Sequence, residues 1–166
     1  MIKHIISIQF DDDAIHDDTL VDVIERAVLE TLRFEVVDLS CVVNVLVTFD
    51  DGIRRFNLDF RELDSATDVL SFPMQEFSHS GWSGRVESDF DIDLDTGELP
   101  LGDIVISIET VKRQAEEYVN TFEYETAYMI VHSTLHLLGY DHDNEVDEEK
   151  MNSKKQQLMK ELGYIK

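Results

Sequence analysis

The stretch HSTLHLLGYDH, residues 132 to 142, constrains the fold more than any other part of this chain. His132 and His136 lie four residues apart inside the apolar helical pattern AYMIVHSTLHLL. Four residues turn a helix by about 400°. The two imidazoles therefore leave one face, about one turn apart. Gly139 follows three residues later and suits the position just past a helix end, because it accepts a left-handed backbone at no steric cost. The chain can then reverse sharply and bring His142 back to the same point. Three neutral imidazoles converging in this way suit one ion, with metal–nitrogen distances of about 2.0–2.1 Å. Three protein ligands leave a fourth position open, which is the catalytic arrangement. Zinc fits such a donor set, at one ion per chain; so do nickel, copper and iron. His4, His16 and His79 stand alone and read as ordinary core or surface histidines.

The spacing matches the long zinc-protease signature H-E-x-x-H-x-x-G-x-x-H except at one position. The glutamate that would act as general base is replaced by Ser133. A serine cannot take a proton from zinc-bound water at neutral pH without a base of its own. The site therefore calls for a reaction in which metal and electrostatics do most of the work. Phosphodiester cleavage qualifies, since its charge develops on phosphoryl oxygens that a cation can hold. Two rival readings are a zinc metallopeptidase-like hydrolase and a non-enzymatic factor with structural zinc. A closed fourth ligand would favour the latter.

The rest of the chain reads as one domain, 1–166, of class α+β. IKHIISIQF alternates as a strand, with Ile6, Ile8 and Phe10 on one face. Asp17, Asp18 and Thr19 offer caps for a helix to about Phe34, with the stripe Val21, Ile24, Val28 and Leu32. SCVVNVLVTF is a largely buried strand whose Cys41 is a small core residue and has no intramolecular disulfide partner. Asp50 and Asp51 open a short helix carrying Ile53, Phe56 and Phe60. DSATDVLSFP runs from loop to a short strand ending at Pro73, and LGDIVISI is a further strand. Between them, residues 77–100 hold many acids, three glycines and a proline, and read as an exposed acidic loop or long hairpin. Helices follow over about 109–118, 123–138 and 146–162. The order β-α-β-α-β-β-α-α-α implies a mixed sheet of about four strands packed with helices, the ligand helix lying near the C-terminal end.

The charge is lopsided: 14 Lys and Arg against 36 Asp and Glu give −22. Such a field repels nucleic acid and anionic membranes. A polyanionic substrate would need a local basic patch, a metal or a partner. The N-terminus lacks the apolar core and cleavage site of a secretory signal, and no apolar run approaches the ~18 residues of a membrane span. The expectation is a cytoplasmic protein with no membrane partner.

HSTLHLLGYDH resembles the H-G-x-L-H-x-x-G-Y-D-H signature of the YbeY family, bacterial metal-dependent endoribonucleases specific for single strands. FNLDFRELDSATDVLSFP resembles that family's N-x-x-[YF]-R-x-x-D-x-x-T-D-V-L-S-F-P block, and LGDIVIS resembles its L-G-D-I-x-I-S strand. The three segments lie in the family's order. The resemblance implies His132, His136 and His142 as zinc ligands and Arg61 as the functional arginine beside them. It implies single-stranded RNA as substrate and not DNA, with roles in 16S rRNA 3′-end maturation and in ribosome quality control. The ribosome or its small subunit is the implied partner. Two departures stand out. Ser133 replaces the usual glycine, where its hydroxymethyl group would narrow the approach or hold a water. Ser65-Ala66 replaces a common Lys-Pro, which weakens the local basic patch.

From the residues alone, Arg61 belongs with Arg54 and Arg55 to a small cationic cluster before the TDVLSFP strand. A guanidinium there can clamp a phosphate through two parallel hydrogen bonds. Asp141, between Tyr140 and His142, is either a turn residue or a carboxylate that orients a ligand or takes a proton. Asp68 is either a capping or turn residue or part of the substrate site. Lys112 and Arg113 read as solvated charges. The implied mechanism has Zn²⁺ lower a water pKa toward ~7 or polarise a phosphoryl oxygen, with Arg61 meeting the charge. Whether water or the 2′-hydroxyl attacks stays open.

Overall fold

Alternation and capping set the elements where the sequence places them. The computed structural model describes residues 2–77, 81–82 and 90–164. The strands are β1 (Ile5–Phe10), β2 (Cys41–Thr48), β3 (Val69–Pro73) and β4 (Leu99–Ser107). They form one mixed sheet of order β1-β2-β4-β3, in which β3 alone runs antiparallel to its neighbour. The helices are α1 (Asp18–Phe34), α2 (Asp50–Arg61), α3 (Ile108–Glu117), α4 (Phe122–Leu137) and α5 (Glu145–Glu161). The α+β class is as expected.

One face of the sheet carries the main core. Val43, Val45 and Val47 of β2 point into it at alternate positions and meet Ile24 and Val28 of α1 and Ile130 and Leu135 of α4. The opposite face is smaller, and there Ile53 of α2 packs on Leu70 and Val105. Strand β4 changes its facing at Gly102, where the register with β2 shifts between Val42 and Val43. Gly102 has φ +153°, and a Cβ there would stand 2.5 Å from the Phe72 carbonyl oxygen and 2.6 Å from Leu137. The glycine of the LGDIVIS strand is thus required by a bulge and a close approach.

Several expectations shift in detail. The α1 stripe buries Leu20, Val23 and Ala27 beside Ile24, Val28 and Leu32, whereas Val21 lies at its margin. The face is wider than predicted because α1 meets both the sheet and α4. Asp17 caps α1, accepting from the backbone N–H groups of Thr19 and Leu20. Phe60, carried by α2 as expected, is 66% exposed; it stacks on Phe56 and meets Phe72 edge-on. Of the segment 77–100, residues 78–80 and 83–89, His79 among them, lie outside the described residues. Its described flanks are not simply exposed. Phe77, Trp82 and Phe90 pack ring against ring on the main core, and Phe90 is buried. Residues 99–100 already belong to β4.

Cys41 is fully buried, and its removal from water pushes the thiol up to about 12. Native protein should therefore resist iodoacetamide at pH 8 and react fully once denatured, a difference readable by mass spectrometry. Rapid native labelling would mean that β1 or β2 opens readily.

Candidate active site

The ligand helix is rigid because it is buried on nearly every side. Ile130, Val131, Leu135 and Leu137 of α4 are fully buried, and burying each such side chain contributes about 1.5–3 kcal/mol. The stripe of Tyr128, Met129, His132 and His136 borders an open cleft. The helix ends in a double return. The N–H of Tyr140 donates to the Leu135 carbonyl and that of Gly139 to the His136 carbonyl. This arrangement needs a left-handed residue, and Gly139 has φ +93°. A Cβ at Gly139 would also meet the Phe77 ring at 2.6 Å. The turn is then nailed down by Tyr140, whose hydroxyl donates to the buried carboxylate of Glu35. Lys154 pairs with the other Glu35 oxygen at 3.0 Å.

This geometry brings the three predicted histidines together. One ligand nitrogen from each of His132, His136 and His142 lies within 4.8 Å of the others. Nε2 of His132 and Nε2 of His136 are 3.1 Å apart. Two nitrogens bound tetrahedrally at about 2.0–2.1 Å stand about 3.4 Å apart, so the donors fit one ion with little movement. Nδ1 of His136 lies 2.9 Å from the Tyr140 carbonyl oxygen. A carbonyl only accepts, so Nδ1 carries the ring hydrogen and the Nε2 lone pair is free for a metal. Burial lowers the His136 pKa, and burial with the nearby Lys155 charge lowers that of His132 to about 3. Both rings are thus held neutral, as ligation requires.

The cleft has a volume of about 560 Å³ and is bordered by Arg61, Asp68, Asp141 and Lys155 as well as the histidines. Its cations come from distant parts of the chain. Of the predicted arginine cluster, Arg54 is spent on Asp64 at 2.6 Å. Arg61 sits at the end of α2, donates to the Ser71 carbonyl at 3.0 Å and lies over the Phe72 ring. Among the described residues it has no carboxylate partner. Arg113 pairs with Asp50, and Lys112 lies over Phe122. Asp68 borders the cleft, yet both its oxygens are engaged: Oδ1 accepts from the Val69 N–H at 2.7 Å and Oδ2 from Gln114 at 3.1 Å. Asp141 accepts from the His142 N–H at 2.8 Å, which is turn geometry beside a ligand. Partial burial opposes ionisation of Asp141, but that bond and a side-chain hydrogen bond with Asp143 outweigh it and hold the pKa below its ordinary value.

Ser133 corrects an expectation. It is fully buried, and its Oγ has no hydrogen-bond partner. One residue past His132 is about 100° around the helix, so Ser133 points into the packing between elements and does not border the cleft. It neither narrows the approach nor holds a water there.

Lys155 was missed in the sequence. Its Nζ lies 3.2 Å from Nδ1 of His132. Ligation through Nε2 of His132 puts the ring hydrogen on Nδ1, so an ammonium donor must then give up its proton or leave that contact. Burial lowers the Lys155 pKa, the direction that the first course needs. The available signal was a lysine on the apolar stripe of α5, between Met151, Leu158 and Met159. The isolated histidines do ordinary work: Nδ1 of His4 accepts from the Cys41 N–H, and His16 lies against Asp18 and the Phe10 ring.

Known proteins resemble this chain in sequence and in fold. The family described as Endoribonuclease YbeY matches residues 5–163. A protein named Endoribonuclease YbeY from Caldanaerobacter subterraneus subsp. tengcongensis is 44% identical over 139 residues, covering 83% of this chain and 84% of its own. One of the same name from Thermoanaerobacter sp. is 44% identical over 152 residues, or 91% of each chain. One from Clostridium botulinum (strain Eklund 17B / Type B) is 38% identical over 148 residues, covering 87% and 89%. Among solved structures, the solution structure of TM1509 from Thermotoga maritima superposes with a TM-score of 0.57 at 27% identity, covering 95% of this chain and 91% of that one. With the family matched over nearly its whole length and relatives well above a third identical, the chain belongs to the endoribonuclease YbeY family.

Proposed function

We infer that this protein is a metal-dependent endoribonuclease that cuts single-stranded RNA and serves rRNA maturation. The observation that carries the reading is one cleft in which three convergent imidazoles face an arginine with no carboxylate partner among the described residues. A divalent ion held there supplies Lewis-acid charge for a phosphoryl oxygen and acidifies a water. His136 is oriented for its part by the Tyr140 carbonyl. Arg61, steadied by Ser71 and Phe72, keeps N–H groups for the phosphate and meets the negative charge that develops on it. Asp141, a carboxylate bordering the same cleft, would orient a water or take its proton; Asp68, already doubly engaged, shapes the cleft wall. Zinc, one ion per chain, is the metal that this donor set suits best. The substrate is the 16S rRNA precursor, met in the cytoplasm. The net charge of −22 opposes tight binding to free RNA, so recognition draws on the ribosome or its small subunit. A tight, salt-sensitive complex with naked RNA would count against that last point. No helix among the described residues is long and apolar enough to cross a membrane.

The test sets nuclease against peptidase. Amide hydrolysis at this signature needs a carboxylate one residue after the first histidine, and here that position is the buried Ser133. The expected result is metal-dependent cutting of unstructured RNA, mapped by its ends, and no cutting of casein by the same preparation. Chelator-sensitive proteolysis with RNA left intact would overturn the reading.

A further inference from the structure

A second cavity of about 690 Å³ adjoins the metal cleft, and Asp68, Tyr128 and Met129 border both. The second cavity has a different chemistry. No lysine or arginine borders it. Its character comes from Tyr118, Tyr124 and Tyr128 and from the neutral amides of Gln114, Asn120 and Gln156. The Tyr124 and Tyr128 rings are almost parallel, 9° apart, and Tyr118 is 55% exposed. The two carboxylates are already occupied. Asp68 accepts from Gln114 Nε2, and Glu125 from Asn120 Nδ2 at 2.5 Å. Gln114 is thereby fixed in orientation, since its N–H₂ end must face the carboxylate. That leaves Gln114 Oε1 as a buried acceptor with no partner.

A phosphate does not suit this cavity, because nothing in its wall neutralises the charge. A flat, neutral, ring-bearing group does. We propose that the cavity is a base subsite, which takes the unpaired nucleobase flanking the scissile phosphate, with the base face laid on the tyrosine-lined wall. The proposal rests on the nuclease reading and deepens it. A base enters such a pocket only when it is free of its complement, so the subsite supplies a physical reason for discriminating against duplex RNA. Aromatic stacking tolerates every base, so the subsite selects for unpaired RNA and not for one sequence.

The test uses metal-loaded full-length protein and a short unstructured RNA with one abasic nucleotide walked through the cut site. Removal of one particular base beside the cut should raise KM about ten-fold, the scale of one base stacked on an aromatic ring. Tyr124→Ala should raise KM on intact RNA by a similar factor and have no further effect on the RNA abasic at that position. Tyr124→Phe, which keeps the ring, should retain the wild-type response. Metal content and thermal midpoint are measured on each variant, so that misfolding is not read as lost binding. The proposal falls if no abasic position matters, or if Tyr124→Ala weakens intact and abasic RNA alike. The two readings fail separately: a wild-type protein that cuts no RNA overturns the nuclease assignment, whereas one that cuts it with indifference to every base overturns the subsite alone.

Discussion

His136→Ala should take the protein from about one bound divalent ion per chain to less than about a tenth under equimolar metal. His136 is the central donor, one helical turn from His132 and six residues before His142. It is also the ring whose tautomer the Tyr140 carbonyl fixes. Its loss leaves two donors on unlike supports, one on a buried helix and one on the exposed turn, and two imidazoles bind weakly compared with three. The variant also loses the bond to the Tyr140 carbonyl, at a cost of about 1 kcal/mol. A small fall in thermal midpoint is therefore expected and does not explain the missing metal. His142→Ala is the companion, because His142 is exposed and its removal disturbs no core. Elemental analysis reads both. If His136→Ala kept its full metal content, the three histidines would not be the site.

Arg61→Ala should do the opposite: keep the metal and the fold, and lose about 10²–10³-fold in RNA cleavage, the usual loss for one donor aimed at developing charge. The guanidinium is held by the Ser71 carbonyl and the Phe72 ring, not by any of the three imidazoles. Its removal therefore leaves the ligand geometry alone. Arg61→Lys should recover little, because an ammonium lacks the planar fork that grips two phosphoryl oxygens. Wild-type rates in Arg61→Ala would make this residue an ordinary surface charge. Loss of metal from that variant would make it a structural support of the site.

Much of the fold was legible because local chemistry decided it. Asp17 caps α1 where a capping residue was expected, the odd-numbered residues of β2 face the core, and β3 stops at Pro73. The histidine spacing and Gly139 determined the convergence of the three imidazoles for the same reason. Both act within one helix and one turn, and the turn geometry leaves few other courses for the chain. Rotation about the helix was less legible. Val21 against Leu20 and Val23, and Ser133 against the cleft, depend on which neighbours surround a helix, and periodicity does not name the neighbours.

What only the tertiary structure decided is the company that the histidines keep. Arg54 and Arg61 look alike in the sequence, yet one is neutralised by Asp64 and the other stands beside the ligands, because β3 carries Ser71 and Phe72 to the end of α2. Lys155 reaches His132 through the packing of α5 on α4, and the tyrosine-lined cavity exists only where α3 and α4 meet. Local sequence determines backbone conformation through steric and hydrogen-bonding rules that span a few residues. Charge pairing and cavity walls are set by groups far apart in the chain, which find one another only when the core closes.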